Sequence, residues 1–354
     1  MKKFLLAAFV ACISLVACQG EKSNVVKIGV SMPTKSLQRW NQDGANMKAQ
    51  LEKAGYTVDL QYAGDNDIPT QVNQIENMIE GKCKALVIAA IDGSSLTEAL
   101  KSAKEKNIPV ISYDRLIMNS DAVSYYATFD NYKVGTMQGQ YLIDKLGLAG
   151  GAGPFNIECF TGDAADNNVN FFFGGAMDTL RPYLDSGKLV VLSGQTEKAQ
   201  CATENWSNQK SQERMENLIT TYGYAPGGTK LDAVLCSNDS TANGVTTALL
   251  AAGYTKDNIP IITGQDCDIP SVKNLIAGVQ SMSVFKDTRT LATKVVEMVE
   301  SIMKGSTPDI NDTGTYNNGT GVIPSYLCTP VIVTIDNYKE TLFDSGYYKP
   351  EQIQ

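Results

Sequence analysis

The sequence predicts an α/β protein built as two doubly wound parallel-sheet lobes with a cleft between them. Three observations carry this reading. Short β-rich runs alternate with segments of helical periodicity from Val25 onward, the same order of elements occurs twice, and one run, Ala85 to Ala90, is apolar without alternation, as in a strand buried on both faces. A chain of 354 residues is long enough for two domains with cores of their own.

The first unit opens with a strand from Val25 to Val30. A helix follows, with Trp40, Met47, Leu51 and Ala54 at helical spacing and Gly55 to stop it. Thr57 to Tyr62 is the second strand. Val72, Ile75 and Ile79 mark a helix that ends near Gly81, ahead of the strand from Ala85 to Ala90. Ser95-Leu96-Thr97-Glu98 reads as a capping box opening a helix that carries Leu96, Leu100 and Ala103. Ile108 to Tyr113 is the fourth strand, and the β-α-β-α-β-α-β order implies a parallel sheet. The second unit repeats the pattern, with strands at Phe155 to Phe160, Lys188 to Leu192, Ala233 to Cys236, Ile259 to Thr263 and Gln280 to Phe285. Helices fall between them, among them Ser207 to Tyr222, one through Leu249 and Leu250, and Ser271 to Ala277. Thr288 to Met303 is helical and Val331 to Val333 is a late strand, a tail able to cross back and tie the lobes together.

With 30 Lys+Arg against 38 Asp+Glu the formal charge is −8, and there is no histidine. The acidic balance argues against a general nucleic-acid binder. The missing imidazole excludes Ser-His-Asp and Cys-His catalysis and HExxH zinc sites. Residues 1–17 read as a signal peptide: Lys2 and Lys3 precede the uncharged run Phe4 to Ala17, which is too short to span a bilayer. The run ends in Leu15-Val16-Ala17-Cys18, which resembles the bacterial lipobox. That implies cleavage before Cys18, a lipid on its sulfur, a tether over 18–24, and an extracytoplasmic address (periplasm or cell surface) held at the membrane by the lipid alone. No later run is apolar over transmembrane length. Cys83, Cys159, Cys201, Cys236, Cys267 and Cys328 include no CxxC pair, so a metal cluster is not expected. Disulfides are permitted outside the cytoplasm but spacing does not assign them. Those inside strands, such as Cys236, read as isolated buried thiols.

Parallel α/β sheets bind ligands beyond the carboxyl ends of their strands. The segments there are Ser31 to Trp40, Ile91-Asp92-Gly93, Asp114-Arg115, Thr161 to Asn168, Ser237-Asn238-Asp239 and Gly264-Gln265-Asp266, rich in Asp, Asn, Arg and Trp. No GxGxxG follows the first strand and no GxxxxGK[ST] occurs, so no nucleotide and no other cofactor is expected.

At these positions the sequence resembles the periplasmic sugar-binding proteins of ABC importers, nearest their xylose-binding and multiple-sugar-binding members. The resemblance rests on Arg39-Trp40, Gln74-Ile75-Glu76-Asn77-Met78, Tyr113-Asp114-Arg115, Phe129-Asp130-Asn131, Asp166-Asn167-Asn168, Ser237-Asn238-Asp239, Gly264-Gln265-Asp266 and Phe285-Lys286-Asp287-Thr288-Arg289. These run in family order over nearly the whole chain after the signal. The resemblance implies a type I periplasmic binding protein fold, with two lobes joined by three crossovers near Thr128 to Asn131, Phe285 to Asp287 and Tyr326 to Pro330. One lobe would hold 25–129 plus about 288–325, the other 130–284 plus about 330–354. It also implies a non-enzymatic, monomeric carrier of a monosaccharide, an aldopentose or aldohexose, that serves a separate ABC permease and ATPase.

A monosaccharide needs donors and acceptors for its hydroxyls and flat apolar cover for its C–H faces. The residues expected to bind it are Arg39, Trp40, Asp114, Arg115, Asn167, Asn168, Trp206, Asn238, Asp266 and Lys286. The two indoles would stack on the ring; which of Asn167 and Asn168 faces the sugar stays open, and Asn168 alternatively caps a helix. Lys35 reads as a rim charge, and Glu158 and Glu204 as surface or lobe contacts. Three cations (Arg39, Arg115, Lys286) against two anions (Asp114, Asp266) leave one positive charge, so acidic sugars are expected to bind beside neutral ones. A glycosidase using Asp114 and Asp266 as paired carboxylates is disfavoured, since each lies beside donors that hold it ionised. A sugar-responsive repressor would need a DNA-binding helix-turn-helix where this chain has an export signal. Presentation of the bound sugar to a membrane sensor is compatible with the carrier reading.

Overall fold

The structure, a computed structural model, describes residues 26–353. The signal peptide, Cys18 and the tether lie outside these residues. The first lobe is built from β1 (Lys27–Met32), α1 (Gln38–Lys53), β2 (Thr57–Tyr62), α2 (Ile68–Glu80), β3 (Ala85–Ile88), α3 (Thr97–Glu105), β4 (Val110–Tyr113) and β5 (Val123–Phe129). The second follows with α4 (Asn131–Leu146), β6 (Phe155–Phe160), α5 (Asn168–Asp185), β7 (Leu189–Val190), α6 (Lys198–Cys201), α7 (Asn208–Tyr222), β8 (Ala233–Cys236), α8 (Asp239–Ala251), β9 (Ile261–Ile262), α9 (Ile269–Ala277) and β10 (Ser283–Phe285). The chain then returns through α10 (Thr288–Met303), β11 (Ser325–Cys328) and β12 (Val331–Val333).

The first sheet has the order β11-β5-β4-β3-β1-β2, with every pair parallel. β3 shows why its sequence is apolar throughout. Ala85 and Val87 face the core under α1 and α10, while Leu86 and Ile88 face the core under α2 and α3. The second sheet, β7-β6-β8-β9, is also parallel. The antiparallel pair β10-β12 continues it through a bridge between Gln265 and Val284. Its two faces are covered by α4 and α5 on one side and by α7 and α8 on the other.

The chain passes between the lobes three times, from β5 into α4, from β10 into α10, and from β11 into β12. The first two passages end in an Asp that caps the next helix: Asp130 accepts the N–H of Lys133 at 3.0 Å, and Asp287 that of Arg289 at 2.9 Å. Capping carboxylates satisfy amides the helix leaves free and fix where each helix leaves the hinge. These two parallel lobes and their three crossovers make the type I periplasmic binding protein fold.

Some expected elements differ. β5 and β11 were not expected as strands. β5, Val-Ser-Tyr-Tyr-Ala-Thr-Phe, mixes polar and aromatic residues without a clean period, and is held by β4 and β11 on its two edges. The capping box at Ser95 is not formed. α3 begins at Thr97 behind Leu96 with no side-chain cap, because the preceding turn is closed instead by Asp92 accepting the Ser94 N–H at 2.7 Å. Glu158 is not at the surface: it is fully buried and accepts from Tyr224 Oη at 2.7 Å and Ser193 Oγ at 2.6 Å. The six cysteines within 26–353 are free and buried.

α4 and α5 meet at glycines. A Cβ on Gly135 would lie 2.0 Å from the Phe172 carbonyl oxygen, and one on Gly175 would lie 2.2 Å from that of Tyr132. The contact is backbone on backbone, so no side chain can rotate away. Gly135→Ala gains up to ~1 kcal/mol of helix propensity but must push the helices apart, at the upper end of the ~1–3 kcal/mol cost of overpacking. The variant should therefore unfold at lower urea than the parent, and an unchanged or raised midpoint would show that the two helices separate freely.

Candidate functional site

The carboxyl ends of both sheets face each other across one pocket. It is lined from the first lobe by Leu37, Arg39, Trp40, Asp114 and Arg115, and from the second by Asp166, Asn168, Phe172, Trp206, Asn238, Gln265, Asp266, Asp268 and Lys286. Apart from Phe172, one turn inside α5, and Trp206, past α6, each follows a strand or lies in the first turn of the helix after it, as the parallel-sheet rule requires. Three of them sit in the left-handed backbone region: Asp114 at φ 58°, Trp206 at φ 55° and Asp266 at φ 97°. Non-glycine residues hold such angles only where surroundings impose them. At Asp114 the imposing groups are visible. Its carbonyl accepts from Tyr126 Oη at 2.6 Å, Thr128 Oγ1 at 3.0 Å and, from the other lobe, Asn168 Nδ2 at 2.7 Å.

The charges form one buried network. Arg39 donates Nε and Nη2 to Asp43 Oδ2 at 3.0 and 2.9 Å, Nη2 to Asp114 Oδ2 at 2.9 Å and Nη1 to Asp266 Oδ1 at 3.4 Å. Asp43 also accepts from Tyr113 Oη. Lys286 Nζ lies 3.0 Å from Asp266 Oδ1 and 3.9 Å from Asp114 Oδ2. Arg115 pairs its Nε with Asp166 Oδ2 across the cleft at 2.9 Å and donates Nη1 to the carbonyls of Ala90 and Ile91. Both arginines lie over the Trp40 ring, at 4.4 and 5.0 Å, where the guanidinium plane favours an aromatic face. Trp206 stands opposite, against Phe172 and so close to Gly162 that a Cβ there would come within 2.0 Å of the indole.

Burial alone would raise the Asp114 carboxyl, but Arg39, Lys286 and Arg115 outweigh it and hold the group below the ordinary range. Burial pushes Asp43 up to about 6, an effect Arg39 only partly offsets. Asp166 is raised by burial against the pull of Arg115. Asp268 is pushed up to about 7 by burial and then by the charge of Asp266. Beneath it Asp239 is raised well above its usual range by burial and by Asp268 and Asp266.

The structure thus brings to the pocket every expected residue except Asn167. That residue immediately precedes α5, is half-buried and accepts from Asn170 Nδ2 at 3.1 Å, while Asn168 faces the cleft. One step along a helix start turns the side chain away. The expected spare cation is also corrected. Asp43 and Asp166 supply partners the charge count omitted, so no cation of the network lacks a carboxylate. Residues not anticipated as ligand contacts are Leu37, Asp166, Phe172, Gln265 and Asp268. Asp166 and Gln265 stood in the strand-end segments; Asp268 lies two residues past Asp266 in the same turn. Among the lining residues, Trp40 Nε1, Trp206 Nε1, Gln265 Oε1 and Asp268 Oδ1 are buried without a protein partner. Buried polar atoms are normally paired, and this set contains both donors and acceptors.

Residues 28–307 match the model of the periplasmic binding protein domain. The chain is 51% identical over 329 residues to the multiple sugar-binding periplasmic receptor ChvE of Rhizobium radiobacter, covering 92% of each chain. The chain belongs to the periplasmic sugar-binding proteins of ABC importers. It is 35% identical to the D-xylose-binding periplasmic protein of Escherichia coli, over 93% of this chain and 92% of that one. It also resembles an ABC transporter solute-binding protein of Clostridium phytofermentans solved with bound β-D-glucose, with a TM-score of 0.90, 62% identity, and coverage of 93% of this chain and all of the other. Members of this family are binding components of transport systems rather than enzymes.

The raised carboxyls set a pH dependence. An acid whose folded value lies above its unfolded one (about 3.9 for Asp) holds its proton more tightly when folded. Its contribution is complete below about pH 4 and is lost as pH rises through the folded value. With Asp43 pushed up to about 6 by burial inside the first lobe, against Arg39 and Tyr113, the thermal midpoint of the ligand-free protein should fall from pH 5 to pH 8. Asp43→Asn should flatten that slope; a parent midpoint that climbs over this range, or an unaltered slope in the variant, would contradict the assignment.

Proposed function

We propose that the protein closes its two lobes around one neutral monosaccharide, an aldopentose or aldohexose, outside the cytoplasm and delivers it to a separate ABC permease. The observation that carries this is the set of unpartnered buried donors and acceptors in a pocket bounded by two indoles, one from each lobe. A sugar hydroxyl donates and accepts at once and can meet both kinds of atom. Asp114, Asp266 and Asp268 would accept from hydroxyls. Arg39, Arg115, Lys286, Asn168 and Asn238 would donate, the last through the amide nitrogen left when its Oδ1 caps α8 by accepting the Thr241 N–H at 3.0 Å. Trp40 and Trp206 would cover the C–H faces. The lobe division proposed is 25–129 with about 288–325, and 130–284 with about 330–354. The sheet membership of β11 and β12 and the packing of α10 on β1 support it.

Titration calorimetry with glucose and xylose should give one-to-one binding, with galacturonate weaker than galactose because every network cation already has a carboxylate. Trp206→Ala should weaken binding by about 1–3 kcal/mol, the scale of a lost buried apolar contact. Asp266→Ala should remove measurable binding, since it leaves Lys286 without its nearest carboxylate and Arg39 with one fewer in a dry cleft. Unaltered affinity in both variants would rule out this pocket as the sugar site.

We take the protein to act as a monomer, and the lipobox-like Leu15-Val16-Ala17-Cys18 supports its anchoring through a lipid on Cys18. Among the described residues no helix is long and apolar enough to cross a membrane. On detergent phase partitioning the parent should enter the detergent phase and Cys18→Ser the aqueous phase; a parent recovered only from the aqueous phase would refute the anchor.

A further inference from the structure

Directly behind the pocket a second set of contacts joins the lobes, and none of it touches the cavity. Gln38, the first residue of α1, donates Nε2 to Tyr348 Oη at 2.6 Å and accepts the Ile269 N–H on Oε1 at 3.0 Å. Gln42, one turn on, also donates to Tyr348 Oη, at 3.2 Å, and accepts from Tyr347 Oη at 3.1 Å. Tyr348 belongs to the second lobe. It is 2% exposed and packs with Cys267, Val272, Leu275 and Leu342. Its own hydroxyl proton goes to the Cys267 carbonyl at 2.9 Å.

The sequence positions make this arrangement informative. Gln38 adjoins Arg39, and Cys267 adjoins Asp266, so the hydrogen bonds lie one residue behind the Arg39–Asp266 contact across the cleft. Asp266 and Cys267 both hold positive φ, 97° and 53°, a conformation that persists only under imposed contacts. α1 and the 266–269 turn stand on opposite walls of the cleft, so opening the lobes must separate Gln38 from both Tyr348 and Ile269.

We propose that Tyr348 is a positioning residue for ligand binding. It locks the lobes in the closed state through Gln38 and, through the Cys267 carbonyl, holds the turn that presents Asp266 and Asp268. This rests on the pocket being the sugar site and the closed cleft being the bound state. The lock does not contact the sugar; it slows the sugar's escape.

The test is a double-mutant cycle on the full chain with Gln38→Ala and Tyr348→Phe, the latter keeping the ring packed. Each single variant should weaken glucose binding about 3- to 10-fold, the range of one or two lost hydrogen bonds. The loss should fall in the dissociation rate, with association unchanged in stopped-flow fluorescence. The double variant should lose less than the product of the two single losses, since the Gln38–Tyr348 hydrogen bond is common to both. The sugar-free unfolding midpoint of Gln38→Ala should match the parent, which a merely structural role would not allow. Additive losses, an equal drop in sugar-free stability, or unaltered dissociation would overturn the lock while leaving the pocket assignment intact. A parent that binds no monosaccharide would overturn both.

Discussion

Arg39 is the constraint on which the cleft depends. Its guanidinium holds Asp43 from its own helix, Asp114 from the first lobe and Asp266 from the second, with all four side chains at most 8% exposed. Taking one carboxylate out of water costs several kcal/mol, and removing the partner of a buried charge costs more than the pair contributes. The geometry therefore has to be fixed before the lobes meet. The i,i+4 spacing to Asp43, itself anchored by Tyr113, sets the Arg39 rotamer from within the first lobe. One nitrogen is then aimed at Asp114 and another across the gap at Asp266. Lys286 arrives from the second hinge passage and shares Asp266, so a hinge residue and a helix residue converge on the same carboxylate.

The backbone around this network is bent to serve it. Asp114 leaves β4 at positive φ, and its carbonyl is held by three donors, one of them the Asn168 amide of the facing lobe. Asp266 does the same past β9, with Ser283 Oγ on the following Cys267 N–H at 3.1 Å. Strain at both acids and tight hydrogen bonding of the flanking peptides belong together, because a relaxed turn would carry each carboxylate away from Arg39. A glycine would adopt these angles without cost but would bring no carboxylate.

Most of the fold was legible because parallel strands buried on both faces read as apolar runs, and because the residues after them are displaced from any period. Asp114, Arg115, Asn238 and Asp266 follow strands in that way, while Trp40 was legible within the period of α1 and Arg39 beside it. β5 escaped because its faces differ in partner rather than in polarity. Asp43 escaped because a charged residue inside a helix ordinarily marks the solvated face; here Arg39 of the same helix and Tyr113 from β4 engage it instead. Asp166 was visible in its segment, but its role depends on Arg115 reaching across the cleft, a contact between residues far apart in sequence. The charge balance failed for the same reason. A tally of expected ligand residues counts groups that follow strands and omits partners that tertiary packing supplies. Asn167 and Asn168 could not be told apart by sequence, since adjacent residues at a helix start differ only in the direction they face.

Those hidden partners are the ground for proposing a neutral ligand. Three cations in a confined space would ordinarily call for an anion. Here Arg39, Lys286 and Arg115 each already face a carboxylate within 3.0 Å, and Asp268 adds an acid with an unpartnered oxygen. An entering carboxylate would have to displace a preset pair and would meet Asp268 besides. A hydroxyl would displace nothing. It can accept from a guanidinium N–H and donate to a carboxylate lone pair already polarised by its partner, and hydrogen bonds to charged groups are the stronger kind. On the proposed reading, a site dense in formal charge is thereby matched to a molecule that has none.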